Sequence, residues 1–432
     1  MYQNFQNPNP QNPTEPQERA LLVGVHTPAD EHFEDSMEEL RALAEACDVC
    51  CVEQMAQNLQ RAHPTSYIGT GKIQELSGLM AASDANIMIA NDELSPSQLR
   101  NLEKELECKV IDRTLLILDI FAQRAQTREA MLQVEIAHWQ YMLPRLIGMR
   151  ASLGRQVGGV GTKNKGVGET KLELDRRKIE KRISQLNDEL EQLTHQRQNQ
   201  RKLRRKKGLP VVSLVGYTNA GKSTLMNALV EFSGAPEEKK VLEKDMPFAT
   251  LETAVRRIQL PDNKAFLLTD TVGFIHKLPH HLIKAFRSTL EEIKEADLLI
   301  HVVDYSTPEH VHHIEITEKT LKEIGVENIP TLYAYNKADL SDTAIPKVQP
   351  SALYMSAKEA VGISDLLTLM SRHIFQDYVT CRMIVPYNRA DLVSYFQENA
   401  HILDTSYQET GTHLFLECSK QDQNRYRLFL EE

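Results

Sequence analysis

Apolar runs of five or six residues alternate with amphipathic stretches along the first quarter of the chain. Leu21-Leu22-Val23-Gly24-Val25 and Ala85-Asn86-Ile87-Met88-Ile89-Ala90 read as short buried strands. Ser36 to Ala46, Lys72 to Ala82 and Ser95 to Leu106 carry apolar residues at helical spacing. Strands alternating with helices predict a small α/β domain on a parallel sheet. Ser95, followed by Pro96 and Gln98, is a helix start with proline at the first helical position. The pattern then lengthens. Thr127 to Leu146 reads as one helix carrying Met131, Leu132, Val134, Ile136, Trp139, Met142 and Leu143. A glycine-rich stretch from Gly154 to Gly168 follows. A second long helix has Ile179, Ile183, Leu186, Leu190 and Leu193 spaced alternately four and three apart. That spacing is a coiled-coil seam, and its nearest partner is the preceding helix folded back as a hairpin. The basic run Arg201 to Lys207 ends this helix before Gly208 and Pro210 break it. From Val211 to about Phe375 the α/β alternation resumes. Beyond Thr380, Cys381 to Pro386, a helix near Ala390 to Asn399, and Thr412 to Glu417 predict a small α+β appendage with no evident chemistry.

Composition narrows the class without naming a partner. The 432 residues allow roughly two to four domains. A hydrophobic share of 41% and a charged share of 25% are those of ordinary soluble globular proteins. The net charge of −10 averages acidic helices with local basic stretches, so it selects no ligand. Met1 to Gln17 is rich in Asn, Gln and Pro with almost nothing to bury, which predicts a disordered tail. Cys47-Asp48-Val49-Cys50 is half of a zinc-site pattern, but no second pair answers it, and buried reduced thiols are expected instead. No signal peptide and no membrane-length apolar run are present, so a cytoplasmic protein is expected.

Five segments carry the chemistry. Gly216-Tyr217-Thr218-Asn219-Ala220-Gly221-Lys222-Ser223 fits the phosphate-loop pattern, between the apolar Val211 to Val215 and a helix opening at Thr224. Such a loop aims backbone N–H groups at phosphate oxygens from a helix N-terminus. Lys222 is expected on the β- and γ-phosphates and Ser223 on magnesium. Asp270-Thr271-Val272-Gly273 closes a strand: Asp270 suits the magnesium shell, and the Gly273 N–H suits the γ-phosphate. Phe248-Ala249-Thr250-Leu251 supplies Thr250, the candidate that closes over the metal only with the γ-phosphate present. Lys222, Thr250 and Gly273 are thus the catalytic candidates, and Ser223, Thr250 and Asp270 the metal candidates.

The base is named by Asn336-Lys337-Ala338-Asp339 after the strand Thr331 to Tyr335, with Ser356-Ala357-Lys358 completing the pocket. An Asp339 carboxylate accepts from guanine's ring N–H and exocyclic amine together. Adenine would leave that acceptor unpaired, at about 1–3 kcal/mol or more. GTP and GDP are therefore the expected ligands. After Gly273 comes Phe274, which cannot orient a water, so turnover is expected to be slow unless a partner supplies the missing element. Asn219 suits a potassium ion beside the phosphates, and equally suits a purely loop-shaping role.

At this point the chain resembles one family. Tyr67-Ile68-Gly69-Thr70-Gly71-Lys72, Asn91-Asp92-Glu93-Leu94-Ser95-Pro96-Ser97-Gln98 and Val110-Ile111-Asp112-Arg113-Thr114 are similar to HflX signatures. So are Ile120-Phe121-Ala122-Gln123-Arg124-Ala125 and Gly168-Glu169-Thr170-Lys171-Leu172-Glu173. The resemblance implies a GTPase that binds the large ribosomal subunit, separates stalled or stressed ribosomes and hydrolyses GTP when stimulated there. Family members usually carry a proline in the glycine-rich turn. This chain reads Lys163-Asn164-Lys165-Gly166-Val167-Gly168-Glu169, which predicts a looser tip.

The expected organisation is an α/β chain. It comprises a tail (1–19), an N-terminal parallel-sheet α/β domain (20–126), a long antiparallel helical hairpin with a glycine-rich tip (127–208), a Ras-like P-loop GTPase domain (209–377) and a small α+β C-terminal domain (378–432), most simply as a monomer. Arg155, Lys163, Lys165 and Lys171 around the tip are candidate RNA contacts, though a solvated basic face is the bland alternative. Gly69-Thr70-Gly71-Lys72 fails the phosphate-loop pattern at Ser66 and Ile73. A GTP-regulated switch acting on a protein partner is the competing function.

Overall fold

A computed structural model describes residues 18–156, 165–205, 209–234, 246–248, 250–251, 253–279, 282 and 292–431. The chain forms two compact units. The first is Met1–Gln198 with Asp245–Leu251 and His276–Ser288; the second is Asn199–Lys244 with Glu252–Ile275 and Thr289–Glu432.

In the first unit, strands β1 (Arg19–His26), β2 (Cys50–Asn58), β3 (Ile87–Ala90) and β4 (Lys109–Asp112) form a parallel sheet in the order β2-β1-β3-β4. Helices α1 (Phe33–Glu45), α2 (Thr70–Ser83), α3 (Pro96–Leu106) and α4 (Arg113–Arg124) connect and cover it. The central strands are apolar because both faces are buried; Ala20 to Val25 are at most 3% exposed. Strand β2 escapes a hydrophobicity reading because it is an edge strand in which Met55 is the buried residue. Helix α3 starts at a capping box. The Gln98 N–H donates to Ser95 Oγ at 3.3 Å, and the Ser95 N–H donates to Gln98 Oε1 at 2.9 Å.

Most of the family-like motifs build a buried polar frame here. Asp112, fully buried at the end of β4, accepts from the N–H groups of Leu94 and Leu115 (both 2.9 Å), Tyr141 Oη (2.8 Å) and Arg145 (3.1 Å). Arg113 is 1% exposed, pairs with Glu39, and donates to Asn91 Oδ1 (2.9 Å) and to the carbonyls of Ser36 (3.2 Å) and His276 (3.1 Å). Lys277 pairs with Asp92 (2.8 Å) and Asp30 (3.1 Å), and Tyr67 donates to Asp92 at 2.6 Å. Buried polar groups satisfied in this way fix one arrangement of the loops.

The predicted hairpin is present as α5 (Arg128–Gln156) and α6 (Lys165–Arg205). Leu132, Ile136 and Leu186 form its buried centre, with Trp139, Leu190 and Leu193 packed around them. Arg128 grips Glu189 bidentately at 2.7 and 2.8 Å, and Arg182 reaches Glu135 at 2.8 Å. Both helices run further into the glycine-rich stretch than expected: Gly154, Gly166 and Gly168 are helical. Each glycine costs about 1 kcal/mol, which cooperative extension of an existing helix overrides.

The second unit holds a seven-stranded sheet: β5 (Val211–Val215), β6 (Ala254–Gln259), β7 (Ala265–Asp270), β8 (Leu298–Asp304), β9 (Thr331–Asn336), β10 (Lys347–Gln349) and β11 (Ala352–Tyr354). Its order is β10-β11-β9-β8-β5-β7-β6, with β6 and β10 antiparallel to their neighbours and the rest parallel. Val212, Leu214, Ile300, Val302, Leu332 and Ala334 form one core with the apolar faces of α7 (Lys222–Phe232) and α9 (Ile363–Ile374). Helix α8 (His310–Glu323) follows β8. The C-terminal part is an antiparallel sheet of β12 (Tyr378–Val385), β13 (His401–Gln408) and β14 (Gly411–Ser419) in the order β12-β14-β13. Helix α10 (Ala390–Asn399) packs Leu392 and Phe396 on it. Strand β13 is a polar edge that apolar patterning does not reveal.

Among the described residues, no helix is long and apolar enough to cross a membrane. All six cysteines are free thiols.

Candidate nucleotide site

Strand β5 ends at Val215, and the chain turns through residues 216–221 into α7, whose first residue is Lys222. Gly216 sits at φ +149° so close to β8 that a Cβ would lie 2.2 Å from the Val302 carbonyl oxygen. Only glycine fits there. Lys222 is 6% exposed, and its Nζ donates to the carbonyls of Tyr217 (2.7 Å) and Gly216 (3.2 Å). Burial pulls its ammonium down to about 8, opposed by the Asp270 carboxylate. Ser223 Oγ donates to Asp270 Oδ2 at 2.7 Å, and Asp270 is fully buried at the end of β7. Two hard oxygen donors side by side are what magnesium takes from a protein when phosphates and water complete its shell.

Beyond Asp270, Thr271 donates to the Leu214 carbonyl at 2.7 Å, tying this segment to β5. Gly273 then passes so near the loop that a Cβ would meet Thr218 Cα at 2.8 Å and Lys222 Nζ at 2.9 Å. The Phe274 N–H donates to Gly216 O (3.1 Å), and the Thr218 N–H donates to Phe274 O (2.8 Å). The phosphate-loop peptide and the Asp270–Gly273 segment are therefore paired like two short strands.

Asn336, 3% exposed, joins the two halves of the site. Its Nδ2 donates to the Ala220 carbonyl (3.0 Å), and its Oδ1 accepts from the Ala357 N–H (2.8 Å). Lys337 takes the left-handed conformation, φ +58°, and its ammonium pairs with Asp304 at 2.7 Å. The Ala338 N–H donates to Met355 O at 3.2 Å. Asp339 lies exposed in the single turn Ala338–Leu340, as does Lys358 beyond the buried Ser356 and Ala357. A carboxylate accessible beside a buried asparagine is placed to accept from a purine edge.

The second unit thus brings together residues 216–224, Asp270 to Gly273, Asn336 to Asp339 and Ser356 to Lys358. Phe248, Thr250 and Leu251 fall in the first unit, where Phe248 is 2% exposed at φ +54° and meets Phe121 edge-on at 4.7 Å. Ala249 and Lys163 lie outside the described residues. Arg155 is on α5, and Lys165 and Lys171 are on α6. Sequence reasoning missed the Asp304–Lys337 pair and the stapling role of Asn336, because both depend on which loops adjoin.

A phosphate loop, an acid beside its serine, and a base-recognition loop at the carboxyl ends of parallel strands define a P-loop nucleotide site. Family profiles agree. Residues 34–122 match "GTP-binding GTPase N-terminal", residues 124–204 match "GTP-binding GTPase Middle Region" and residues 211–337 match "50S ribosome-binding GTPase". The GTPase HflX of Caldanaerobacter subterraneus is 42% identical over 414 residues, covering 96% of this chain and 94% of that protein. The GTPase HflX of Escherichia coli is 38% identical over 401 residues, covering 91% of this chain and 92% of that protein. A solved GTP-binding protein of Sulfolobus solfataricus in complex with GDP is 24% identical with a TM-score of 0.43, covering 83% of this chain and 99% of that one. The chain is a GTP-binding, GTP-hydrolysing enzyme. It belongs to the HflX family of GTPases.

Proposed function

We propose that this GTPase acts on the large ribosomal subunit and separates stalled or stressed ribosomes, with the bound nucleotide setting its affinity. The observation that carries this reading is the pairing of a nucleotide site, matched by a ribosome-binding GTPase profile, with a long helical hairpin in the same chain. In this reading Arg155, Lys163, Lys165 and Lys171 contact ribosomal RNA. Each phosphate they neutralise releases counterions, so attachment weakens steeply with salt.

At the nucleotide site, Lys222 holds the β- and γ-phosphates, the Gly273 N–H meets the γ-phosphate, and Asp339 selects guanine. Ser223 and Asp270 would hold magnesium, and Thr250 remains the candidate that would join them only with the γ-phosphate present. Bound there, the ion neutralises charge that develops on the phosphate oxygens. Asn219, held at φ +60° in the loop, would be the residue to hold a potassium ion beside the phosphates. Turnover in potassium then exceeds turnover in sodium, and equal rates remove the potassium assignment.

The deciding experiment is sedimentation with purified 50S subunits and a non-hydrolysable GTP analogue. Attachment lost when Arg155, Lys163 and Lys165 become alanine supports the reading. Attachment that persists in that variant, or that ignores the nucleotide, shifts weight to a switch acting on a protein partner.

A further inference from the structure

The β8–α8 element grips the phosphate loop from two sides. At the loop's root, the Val302 carbonyl of β8 fills the space a side chain on Gly216 would need. One residue on, the Tyr217 ring lies flat against the imidazole of His313 on α8, centroids 3.9 Å apart and planes 11° apart. Tyr217 is 9% exposed, so its ring has little room to turn without that partner. The peptide so fixed is the one that matters. Its carbonyl accepts from Lys222 Nζ, and its two neighbours carry both hydrogen bonds to Phe274.

We infer that His313 is a positioning residue for GTP hydrolysis: by stacking on Tyr217 it holds the loop peptide that registers Lys222 and the Asp270–Phe274 segment against each other. Phe274 cannot orient water, so the rate rests on how accurately the backbone around the γ-phosphate is placed. Near-attack geometry is sensitive on this scale, where displacements of about 1 Å cost up to about 100-fold. A flat ring pressed on one face is a stiff constraint, because it resists rotation about both side-chain torsions of the tyrosine. His313 needs neither charge nor proton transfer for this. A neutral aromatic ring of similar width performs the same task.

The test is steady-state GTP turnover by the full chain, with GDP affinity measured in parallel. His313→Ala lowers kcat roughly tenfold while GDP affinity stays within about threefold, since the loop still presents its N–H groups. His313→Phe restores kcat to near the starting value. His313→Gln, which fills space and bonds without an aromatic ring, stays at the alanine level. Tyr217→Leu lowers kcat to a similar extent, and adding His313→Ala to it lowers kcat no further, because both changes break one contact. Comparable thermal unfolding of the five variants separates positioning from loss of fold. Unchanged kcat in His313→Ala overturns the inference. So does failure of His313→Phe to recover, or equal recovery by His313→Gln. Fully multiplicative effects in the double variant also overturn it.

Discussion

Burial sets the protonation of single side chains in the second unit. His301 on β8 is 2% exposed, and burial lowers its imidazole from 6.5 to about 4, helped by the nearby Lys222 charge. The unfolded chain therefore binds a proton at pH 5 that the folded one refuses. Stability from this residue is present above 6.5, declines as pH falls, and levels off below 4, a span of about 3 kcal/mol. His301→Asn should flatten that slope in urea unfolding between pH 6.5 and 4.5. A slope unchanged by the substitution would assign the acid sensitivity elsewhere. In the proposed function, specificity rests on Asp339. Replacing its carboxylate by an amide in Asp339→Asn supplies a donor where guanine also donates, so preference should shift towards xanthine nucleotides by roughly tenfold or more in competition binding. Retained guanine preference would count against the assignment.

At the scale of elements, the hairpin shows how a seam becomes stability. Leu186 is fully buried between Leu132 and Ile136, so Leu186→Ala should cost about 2–5 kcal/mol by calorimetry. Arg128→Ala removes a bidentate pair that faces solvent, and should cost far less than the loss of Leu186. If the two changes prove equal, packing is not what holds the helices together. The seam was legible from sequence because the repeat of four and three has one meaning on a helix. The apolar strands were legible for a similar reason, since only a doubly covered sheet tolerates a run such as Leu21 to Val25. Edge strands β2 and β13 were not. Their outer faces meet water, so their residues carry no apolar signal, and they are defined by the neighbours that hydrogen-bond to them. The glycine-rich turn erred the other way: local propensity argued for loop where the helices continue.

For the molecule as a whole, nucleotide and ribosome must be linked for the proposed function to hold. Co-sedimentation with 50S subunits should fall about 10-fold or more between 50 and 200 mM salt if several tip cations engage phosphates. It should also weaken when GDP replaces the GTP analogue. A salt-insensitive complex would deny the RNA contact. The structure contributes a fact invisible in one dimension: Phe248, Thr250, Leu251, His276 and Lys277, which sit in the sequence among the nucleotide motifs, belong to the first unit. Lys277 and Phe248 find their partners on Asp30, Asp92 and Phe121.

What the sequence alone determined is the chemistry that repeats locally. A glycine loop between strand and helix, an acid ending a strand, and an asparagine-lysine-x-aspartate turn each need only a few consecutive residues to be recognised. Their physical meaning is carried by the backbone geometry those residues permit. Tertiary structure decided everything that depends on approach between distant segments. It set the Asn336 staple across 116 residues, the ring of His313 on Tyr217, and the capture of Lys277 by two carboxylates some two hundred residues earlier. Such contacts leave no periodic trace, because a hydrogen bond or a stacked ring is fixed by a distance of a few ångströms in space and by nothing in the spacing along the chain.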